Sequence, residues 1–515
     1  MARWDHGYVT DVAYTTNAYQ ETMPSWLATC SVLLGFRPTD LAAPFRYADL
    51  GCGNGLSALI VAATYPRAEV WGFDFNPAHI ENARAMAARS GLTNVHFEDV
   101  SFEALAHGDS SPQFDIIVSH GVLSWISLEN RQYLTEAIGR RLVPGGLVYL
   151  SYNVATGWSA VEPIRLLMRQ LAEGDQRRTD QSIPGIFQIL DQLRTGGAAF
   201  FREHPGLEAR ITQMKQQDPR YLAHEFLNRD WHPVMFAEVA EAMAETRTSY
   251  IGSATTMENI DAFAVPEAVI PVLNNATDPA TRATIRDLAC AKNFRRDLWR
   301  KGAENLPVRE HLALLDAVTL AWTGRQVESA VTFAGPIGVV TGQPEFYNPL
   351  LDAIRDGPTT IGQLRALPAL RDRQPAEFVQ AAFLLMGGGY AHPVGVTEGN
   401  RADARAGATR LNRAIVDRLR YGVDLHCLAA PLLGSSIAIE VMEGLVIGRL
   451  LEGIPREAEA LVDGTLNDLA RSGRSLLKDG QPLTDPAEAR VRVGETVRNV
   501  LERRLPLLRG MGVLD

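Results

Sequence analysis

A glycine-rich segment, YADLGCGNG, is the part of the sequence best suited to chemistry. It places Asp49 two residues before Gly51, and Gly53 and Gly55 follow, between an apolar run and an amphipathic run. Glycine at a strand-to-helix turn lets a ligand lie against the bare backbone, where N–H groups at the start of the helix point outward. The pattern predicts a binding site for a small polar ligand.

Two further acids narrow the choice of ligand. Asp74 ends the second predicted strand, 19 residues after Gly55, where a carboxylate can accept hydrogen bonds from both hydroxyls of a ribose. Asp99 ends the third predicted strand, within reach of an adenine amino group. Because the carboxyl ends of adjacent parallel strands form the ligand crevice of such sheets, the acids together predict an adenosine.

The first turn discriminates between two adenosine cofactors. A dinucleotide site leaves room for a pyrophosphate, which the carboxylate of Asp49 would repel, whereas the same carboxylate can orient the turn and the ammonium group of a methionine. The turn DLGCGNG therefore favours S-adenosylmethionine over NAD, and it resembles motif I of class I S-adenosylmethionine methyltransferases. We expect this cofactor, and its product S-adenosylhomocysteine, to contact Asp49, Gly51, Cys52, Gly53, Asn54, Gly55, Asp74, Phe75, Asn76, Asp99, Val100, Ser119, His120 and Gly121.

The fourth predicted strand ends in FDIIVSHGVLSW, where the methyl group should project. The segment lacks the [DN]PPY-like tetrapeptide expected of a methyltransferase that acts on adenine or cytosine. His120 is a candidate base or a structural histidine, and Trp125 either lines the acceptor pocket or packs at the strand end. Tyr8 and Tyr14 would complete an aromatic lining that attracts a sulfonium or ammonium cation. The candidate catalytic residues are therefore His120, Trp125, Tyr14 and Tyr8.

His224 and Glu225 form a second polar pair, adjacent in a predicted helix. Successive side chains of a helix diverge by about 100 degrees, so the two should not serve the same ligand. We expect one of them to cap or brace this helical segment, and we expect no metal site there.

Periodicity indicates the elements that position these residues. From 45 to 153 short apolar runs alternate with amphipathic stretches, which predicts a parallel, doubly wound sheet. The segment FRRDLWRKG, 294–302, is predicted to be a late edge strand. Residues 345–397 indicate three short helices and an apolar strand, an order that resembles a winged helix, but the third helix, EFVQAAFLLM, offers no Arg or Lys to DNA.

Several segments together resemble one family. The arm with Tyr8 and Tyr14, SHGVLSW, SYNVATGW, YLAHEFLNRDWHP and FRRDLWRKG resemble bacterial class I methyltransferases with a methyltransferase regulatory domain. That family includes rickettsial protein lysine methyltransferases acting on outer-membrane proteins. The resemblance covers residues 8–302 and, more loosely, the remainder. Thr156 and Ala13 depart from the family pattern, in which proline is expected at both positions. The resemblance therefore does not determine the acceptor pocket or the substrate.

The resemblance implies an α/β fold with a Rossmann-like, seven-stranded catalytic domain, a helical insertion, and mainly helical middle and C-terminal domains, including a winged-helix-like unit. It also implies that the insertion supports a homodimer and that the C-terminal domain helps to hold a protein substrate. The expected divisions are an N-terminal arm and helix over the active site at 1–44, the cofactor-binding core at 45–157, the insertion with the late strands at 158–302, a middle domain at 303–410 and a helical domain at 411–515.

Composition excludes several classes of protein. The 515 residues, 46% hydrophobic and 21% charged, indicate a folded chain of several domains rather than a small module or a disordered chain. The net charge of −10 disfavours nucleic acid as a partner. Four widely spaced cysteines argue against a disulfide framework or a metal cluster. The acid Asp5 comes before any apolar run that could form the core of a signal peptide, so we do not expect export by that route. We expect a cytoplasmic protein that does not insert into membranes.

Three functions stay open from the sequence. The interpretation we favour is N-methylation of lysine side chains on a protein, because the long noncatalytic region offers more surface than a small acceptor requires. The first alternative is N- or O-methylation of a natural product or metabolite. The second is a protein that senses the cofactor without catalysis.

Overall fold

The N-terminal half is built on one mixed sheet. The computed structural model describes residues 8–9, 11–12, 16–108, 112–175, 177–478, 481–483 and 485–515. Its first strands are β1 (Arg46–Leu50), β2 (Glu69–Asp74), β3 (Val95–Asp99), β4 (Phe114–Ser119), β5 (Leu142–Asn153), β6 (Thr248–Ser253) and β7 (Phe294–Lys301). Among the described residues these seven pair in the order β3-β2-β1-β4-β5-β7-β6, and β7 runs antiparallel to both of its neighbours. The predicted parallel, doubly wound sheet is confirmed.

Helices cover both faces of the sheet, which explains why nearly every residue of β1 and β4 is buried. The helices α2 and α3 share a hydrophobic core with one face, and α4 and α5 flank the core of the other. The helices of this part are α1 (Pro24–Leu33), α2 (Leu56–Thr64), α3 (Pro77–Ser90), α4 (Phe102–His107) and α5 (Leu128–Arg141).

A helical insertion separates β5 from β6 and has a hydrophobic core of its own. Trp158 and Trp231 lie in this core, and their rings meet edge to face with centroids 5.3 Å apart. The helices from β5 to β7 are α6 (Ala155–Trp158), α7 (Glu162–Glu173), α8 (Thr179–Thr195), α9 (Ala199–Glu203), α10 (Gly206–Met214), α11 (Pro219–Phe226), α12 (Phe236–Glu245), α13 (Asp261–Ala264), α14 (Ile270–Asn275) and α15 (Pro279–Ala289).

The prediction of an edge strand at 294–302 was wrong in its position. The strand exists as β7, but it lies between β5 and β6, and β6 is the edge. Arg295 of this strand is buried and pairs with two buried carboxylates. Its Nη1 lies 2.8 Å from Asp287 Oδ1, and its Nε lies 2.9 Å from Asp297 Oδ2. Pairing within the interior makes these charges compatible with a central strand.

The C-terminal half is mainly helical, with short strands. Its helices are α16 (Val308–Ala317), α17 (Pro344–Asp356), α18 (Ile361–Arg365), α19 (Pro375–Gly387), α20 (Arg401–Arg420), α21 (Val441–Leu451), α22 (Ala458–Arg471), α23 (Pro486–Asn499) and α24 (Leu505–Gly510). Its strands are β8 (Thr319–Trp322), β9 (Thr332–Gly335), β10 (Gly338–Thr341), β11 (Thr359–Thr360), β12 (Ala391–Pro393), β13 (Cys427–Ala430), β14 (Ser435–Ala438), β15 (Leu477–Lys478) and β16 (Gln481–Pro482).

The predicted order of three helices and a strand at 345–397 is present as α17, α18, α19 and β12. The strands β12 and β11 both pair with β8 to form a small antiparallel sheet. The division expected at residue 410 falls inside α20, which is continuous there. None of the helices described here is both long and apolar enough to cross a membrane.

The helix α20 joins the C-terminal half to the catalytic half. A Cβ added to Gly407 would lie 2.4 Å from the carbonyl oxygen of Ala63 in α2. Arg410 Nε donates to the carbonyl oxygen of Ser90, at the end of α3, over 3.1 Å. Apolar residues of α1, α2, the sheet and α20 form one continuous cluster, so the two halves share a hydrophobic core.

We expect Gly407→Leu to lower the free energy of unfolding by about 1–2 kcal/mol, because the new side chain meets backbone that cannot move away freely. Thermal unfolding followed by circular dichroism measures this effect. The matched control is Gly494→Leu in α23, where an added Cβ would meet nothing within 4 Å. If both variants unfold at the same temperature as the parent protein, the close contact between α20 and α2 is not important for stability.

Candidate functional site

A cavity of about 210 Å³ lies at the carboxyl ends of β1, β2 and β4. Its wall is completed by α11 of the insertion and by Tyr8, Thr16, Asn17 and Tyr19 of the N-terminal arm. The sequence-predicted residues that line it are Tyr8, Asp49, Gly51, Cys52, Gly53, Asn54, Asp74, Phe75, Val100, His120, Gly121 and Trp125.

Other predicted residues lie near the cavity without lining it. Gly55 begins α2 with φ +74°, and the Asn76 side chain accepts a hydrogen bond at the start of α3. Ser119 Oγ is buried and donates to the carbonyl oxygen of Leu50 over 3.0 Å. Asp99 is exposed at the tip of β3, so its predicted contact with adenine stays a prediction. Tyr14 lies outside the described residues.

The turn after β1 has a backbone that requires glycine. Gly51 and Gly53 have φ values of +81° and +53°, in the left-handed region that other residues rarely adopt. A Cβ on Gly51 would lie 2.4 Å from Val122 Cγ2, whereas a Cβ on Gly53 would meet nothing within 4 Å. The backbone at Gly53 therefore faces open space, where a ligand can approach it directly.

Asp74 connects this turn to α3. Its Oδ2 accepts a hydrogen bond from the Gly53 amide at 2.8 Å, and its Oδ1 accepts one from the Asn76 amide at 2.9 Å. His79 Nδ1 lies 3.2 Å from Oδ1. A carboxylate held by two backbone amides is fixed in position, and its remaining acceptor capacity is directed at the cavity.

Asp49 is the second carboxylate of this wall and is only 6% exposed. Burial, together with the negative charge of Asp74, raises the pKa of Asp49 to about 7. Two buried carboxylates that face one cavity repel each other, and a bound cation would relieve that repulsion. The site is thus electrostatically suited to a positively charged ligand.

His120 lies beyond β4, between two tyrosines. Its Nδ1 is 2.7 Å from the Tyr149 hydroxyl, and its ring stacks on Tyr19 with centroids 3.7 Å apart. Burial and the positive charge of Arg296 lower the pKa of His120 to about 3. His120 is therefore neutral near pH 7 and a weak base, which favours a hydrogen-bonding or packing role.

Trp125 also lines the cavity, at the end of a short 3₁₀ turn. Its ring contacts Trp231 of the insertion, with centroids 6.4 Å apart. The turn is held by Ser124, whose Oγ accepts from the Asn153 amide at 2.8 Å and whose carbonyl accepts from the His232 amide. Trp125 is thus both a wall of the cavity and a contact between core and insertion.

The arm is held against α11. The Val9 amide donates to Asn228 Oδ1 over 2.8 Å, and His224 Nε2 lies 2.9 Å from the carbonyl oxygen of Val12. Tyr8 packs between Phe75 and His224, with ring centroids 5.7 and 5.4 Å apart. These contacts close one side of the cavity.

Sequence reasoning missed many wall residues. His224 and Glu225 both line the cavity, although their adjacency in α11 suggested separate roles. Contacts between the arm and α11 span more than 200 residues of sequence, and no motif indicates them. The wall residues not expected as ligand contacts are Thr16, Asn17, Tyr19, Leu56, Ser57, His79, Ser101, Phe102, Val122, Ile126, Ser127, Asn130, His224, Glu225, Asn228 and Asp230.

The charge of the cavity wall has one sign. Asp49, Asp74, Glu225 and Asp230 line it, and the lining contains no Lys or Arg within the described part of the chain. Three histidines line it as well. Among the described residues, no group of three or more His, Cys, Asp or Glu side chains is arranged to hold a metal ion. The cavity therefore presents a negative field to its ligands.

Comparisons with known proteins identify two family domains. Residues 44–232 match a methyltransferase domain, and residues 218–301 match a predicted methyltransferase regulatory domain. An uncharacterized protein of Synechocystis sp. is 33% identical over 510 residues, which cover 99% of each chain. A trans-aconitate 2-methyltransferase of Methylobacterium nodulans is 34% identical over 172 residues, 33% of this chain and 57% of that protein.

The fold is shared with PKMT2 from Rickettsia typhi, whose structure was solved in complex with AdoHcy. The two structures superpose with a TM-score of 0.71 over 97% of this chain and 99% of that one, at 19% sequence identity. The expected class I methyltransferase fold is confirmed for the catalytic half, and the mainly helical C-terminal half shares its fold with the same structure.

Proposed function

Because this chain belongs to the methyltransferases that carry a predicted methyltransferase regulatory domain, we propose that it transfers a methyl group from S-adenosylmethionine to lysine side chains of a protein. The negative cavity wall is the observation that carries this proposal. A homodimer and a cytoplasmic location stay predictions.

The residues of the cavity fit the cofactor of this family. Asp74 would bind the ribose hydroxyls, and the open backbone at Gly53 would lie against the ligand. The carboxylate of Asp49 would compensate the charge of the methionine ammonium group. S-adenosylmethionine supplies a methyl group that is already activated by attachment to a positively charged sulfur.

The wall charge discriminates between acceptor classes. A carboxylic acid acceptor needs cationic partners, yet the described lining offers carboxylates and no Lys or Arg. An amine reaches this site as a cation, which the same carboxylates attract. The aromatic rings of Tyr19 and Trp125, both in the wall, add attraction for a cation.

This chain contributes position and exclusion of water to the reaction. A free lysine amine has a pKa of about 10.4 and must lose its proton before it can act as a nucleophile. The arm and α11 cover part of the cavity, and the partial loss of water around a bound amine would lower the pKa of that amine. Holding donor and acceptor in line then supplies much of the rate enhancement.

A small-molecule amine is the second candidate acceptor. Relatives named trans-aconitate 2-methyltransferase, which match about a third of this chain, favour a small acceptor over a protein but not an amine. The acid named in those relatives carries charges of the wrong sign for this wall. An amine metabolite would have the right charge.

We expect the purified protein, incubated with methyl-labelled S-adenosylmethionine and bacterial cell-envelope proteins, to label lysine. Digestion and mass spectrometry would locate the label, and a parallel reaction with trans-aconitate should give no methyl ester. Label confined to small metabolites would reject the protein substrate. Formation of the trans-aconitate ester would contradict the argument from wall charge.

A further inference from the structure

We propose that Glu225 of α11 is the carboxylate that binds the cationic amine of the acceptor and removes its proton. The proposal rests on the proposed function and deepens it, because it places acceptor recognition at residues 218–232, where the matches to the methyltransferase domain and the regulatory domain overlap. Glu225 lines the cavity in the region of Tyr19, which stacks on His120 at the end of β4. That strand end is where the acceptor was expected.

The position of Glu225 is fixed by His224 beside it in α11 and by Asn228, which follows the helix. Asn228 Oδ1 accepts a hydrogen bond from the Val9 backbone amide, and Asn228 Nδ2 donates one to the carbonyl oxygen of His224. His224 Nε2 in turn lies 2.9 Å from the carbonyl oxygen of Val12. These contacts attach the helix to the arm across the cavity. Glu225 is therefore held at the wall by a rigid element rather than by a loop.

The charged and polar groups that face Glu225 come from every neighbouring element. Tyr221 of α11, Asn153 at the end of β5, Arg210 of α10 and Tyr19 of the arm are within its electrostatic reach. Arg210 is held elsewhere, because its guanidinium stacks 4.0 Å from the Trp158 ring centroid and Nη1 donates to the carbonyl oxygen of Gly157.

Neighbouring polar groups offset only part of the effect of burial on the pKa of Glu225, so this carboxyl can exchange a proton near neutral pH. Burial raises the pKa of the Glu225 carboxyl to about 7, while Tyr221, Asn153 and Arg210 lower it less. A general base works best when its pKa lies near the working pH. Glu225 is better suited to this than His120, whose pKa is lowered to about 3.

The proton and electron balance is simple. The ammonium of the acceptor gives one proton to the Glu225 carboxylate and becomes a neutral amine. The amine nitrogen then forms a bond to the methyl carbon, while the bond from carbon to sulfur breaks and its electron pair stays on sulfur. The product is a methylammonium and a thioether, and Glu225 returns its proton to water.

Calorimetry tests the proposal by measuring the binding of n-butylammonium, a mimic of the lysine side chain. The protein is first saturated with S-adenosylhomocysteine. We expect Glu225→Gln to weaken butylammonium binding about tenfold and to leave S-adenosylhomocysteine affinity within about twofold, which also shows that the variant is folded. The control is Glu208→Gln in α10, whose exposed side chain pairs with Arg194 and does not line the cavity. It should behave as the parent protein.

The pH dependence gives a second readout. Glu225 is a carboxyl with a raised pKa, so it is ionised above pH 7 and protonated below it; butylammonium binding should weaken as pH falls through about 7. Asp49 titrates in the same range, so the informative quantity is the difference between parent and Glu225→Gln profiles. Equal affinity and equal pH profiles in the two proteins would overturn the proposal, as would no detectable binding by the parent.

Failure of this inference is distinguishable from failure of the proposed function. A parent protein that binds butylammonium through Glu225 but labels no lysine would support the amine site and reject the protein substrate. If the Glu225→Gln variant labels lysine as well as the parent protein does over pH 6–9, the proposed function stands and the role of Glu225 is rejected.

Discussion

Replacing Asp74 with alanine is expected to weaken binding of S-adenosylhomocysteine about a hundredfold. The carboxylate fixes the amides of Gly53 and Asn76, and removing it leaves both without this acceptor next to the ligand. A hydrogen bond to a charged group contributes about 1.5–3 kcal/mol, so the loss of ribose contacts alone accounts for a large part of this effect. The affinity for S-adenosylhomocysteine should fall less in Asp74→Asn, because the asparagine amide oxygen still accepts one hydrogen bond.

Calorimetric titration with S-adenosylhomocysteine measures these affinities. Glu81→Gln is the matched control, because it removes a carboxylate from the same region while Glu81 is exposed on α3. Unchanged affinity in Asp74→Ala would mean that the nucleoside does not bind at the end of β2.

The second large effect is expected for Gly51→Ala, with a free energy of unfolding lowered by about 2–4 kcal/mol and cofactor affinity reduced more than tenfold. At φ +81° the added methyl group strains the backbone by about 1–2 kcal/mol, and it would lie 2.4 Å from Val122 Cγ2. Overlap of this kind adds about 1–3 kcal/mol.

A double variant separates these two causes. Val122→Ala removes the overlapping methyl group but leaves the backbone strain, so Gly51→Ala/Val122→Ala should recover part of the lost stability and part of the affinity. Denaturant unfolding and calorimetry of the single and double variants measure the coupling. No recovery at all would show that backbone strain, or a cause outside this contact, dominates.

Local patterns predicted the catalytic half well. The strand ends at Leu50, Asp74 and Ser119 follow from apolar runs that stop at polar or glycine residues, and such runs are visible in the sequence. The centre of the cavity, with Asp49, Gly53 and Asp74, was found in this way.

The remainder of the site depends on contacts between distant parts of the chain. Glu225 lies in the cavity wall beside His224, which contacts the carbonyl oxygen of Val12 in the arm, and no periodicity encodes that approach. The position of β7 depends on distant contacts in the same way, because Arg295 in this strand is buried against Asp287 of α15. Burial also reverses expectations about chemistry, since the pKa of His120 moves away from neutrality and that of Glu225 moves toward it.

The core that α20 shares with α2 has a consequence for biosynthesis. While the ribosome is still making the residues that follow β7, the side of α2 and α3 that faces α20 has no partner, because Gly407 and Arg410 have not yet emerged. We expect the nascent catalytic half to expose apolar surface until then and to need chaperones during that interval. Shortened chains that end at Lys301 should consequently accumulate as aggregates.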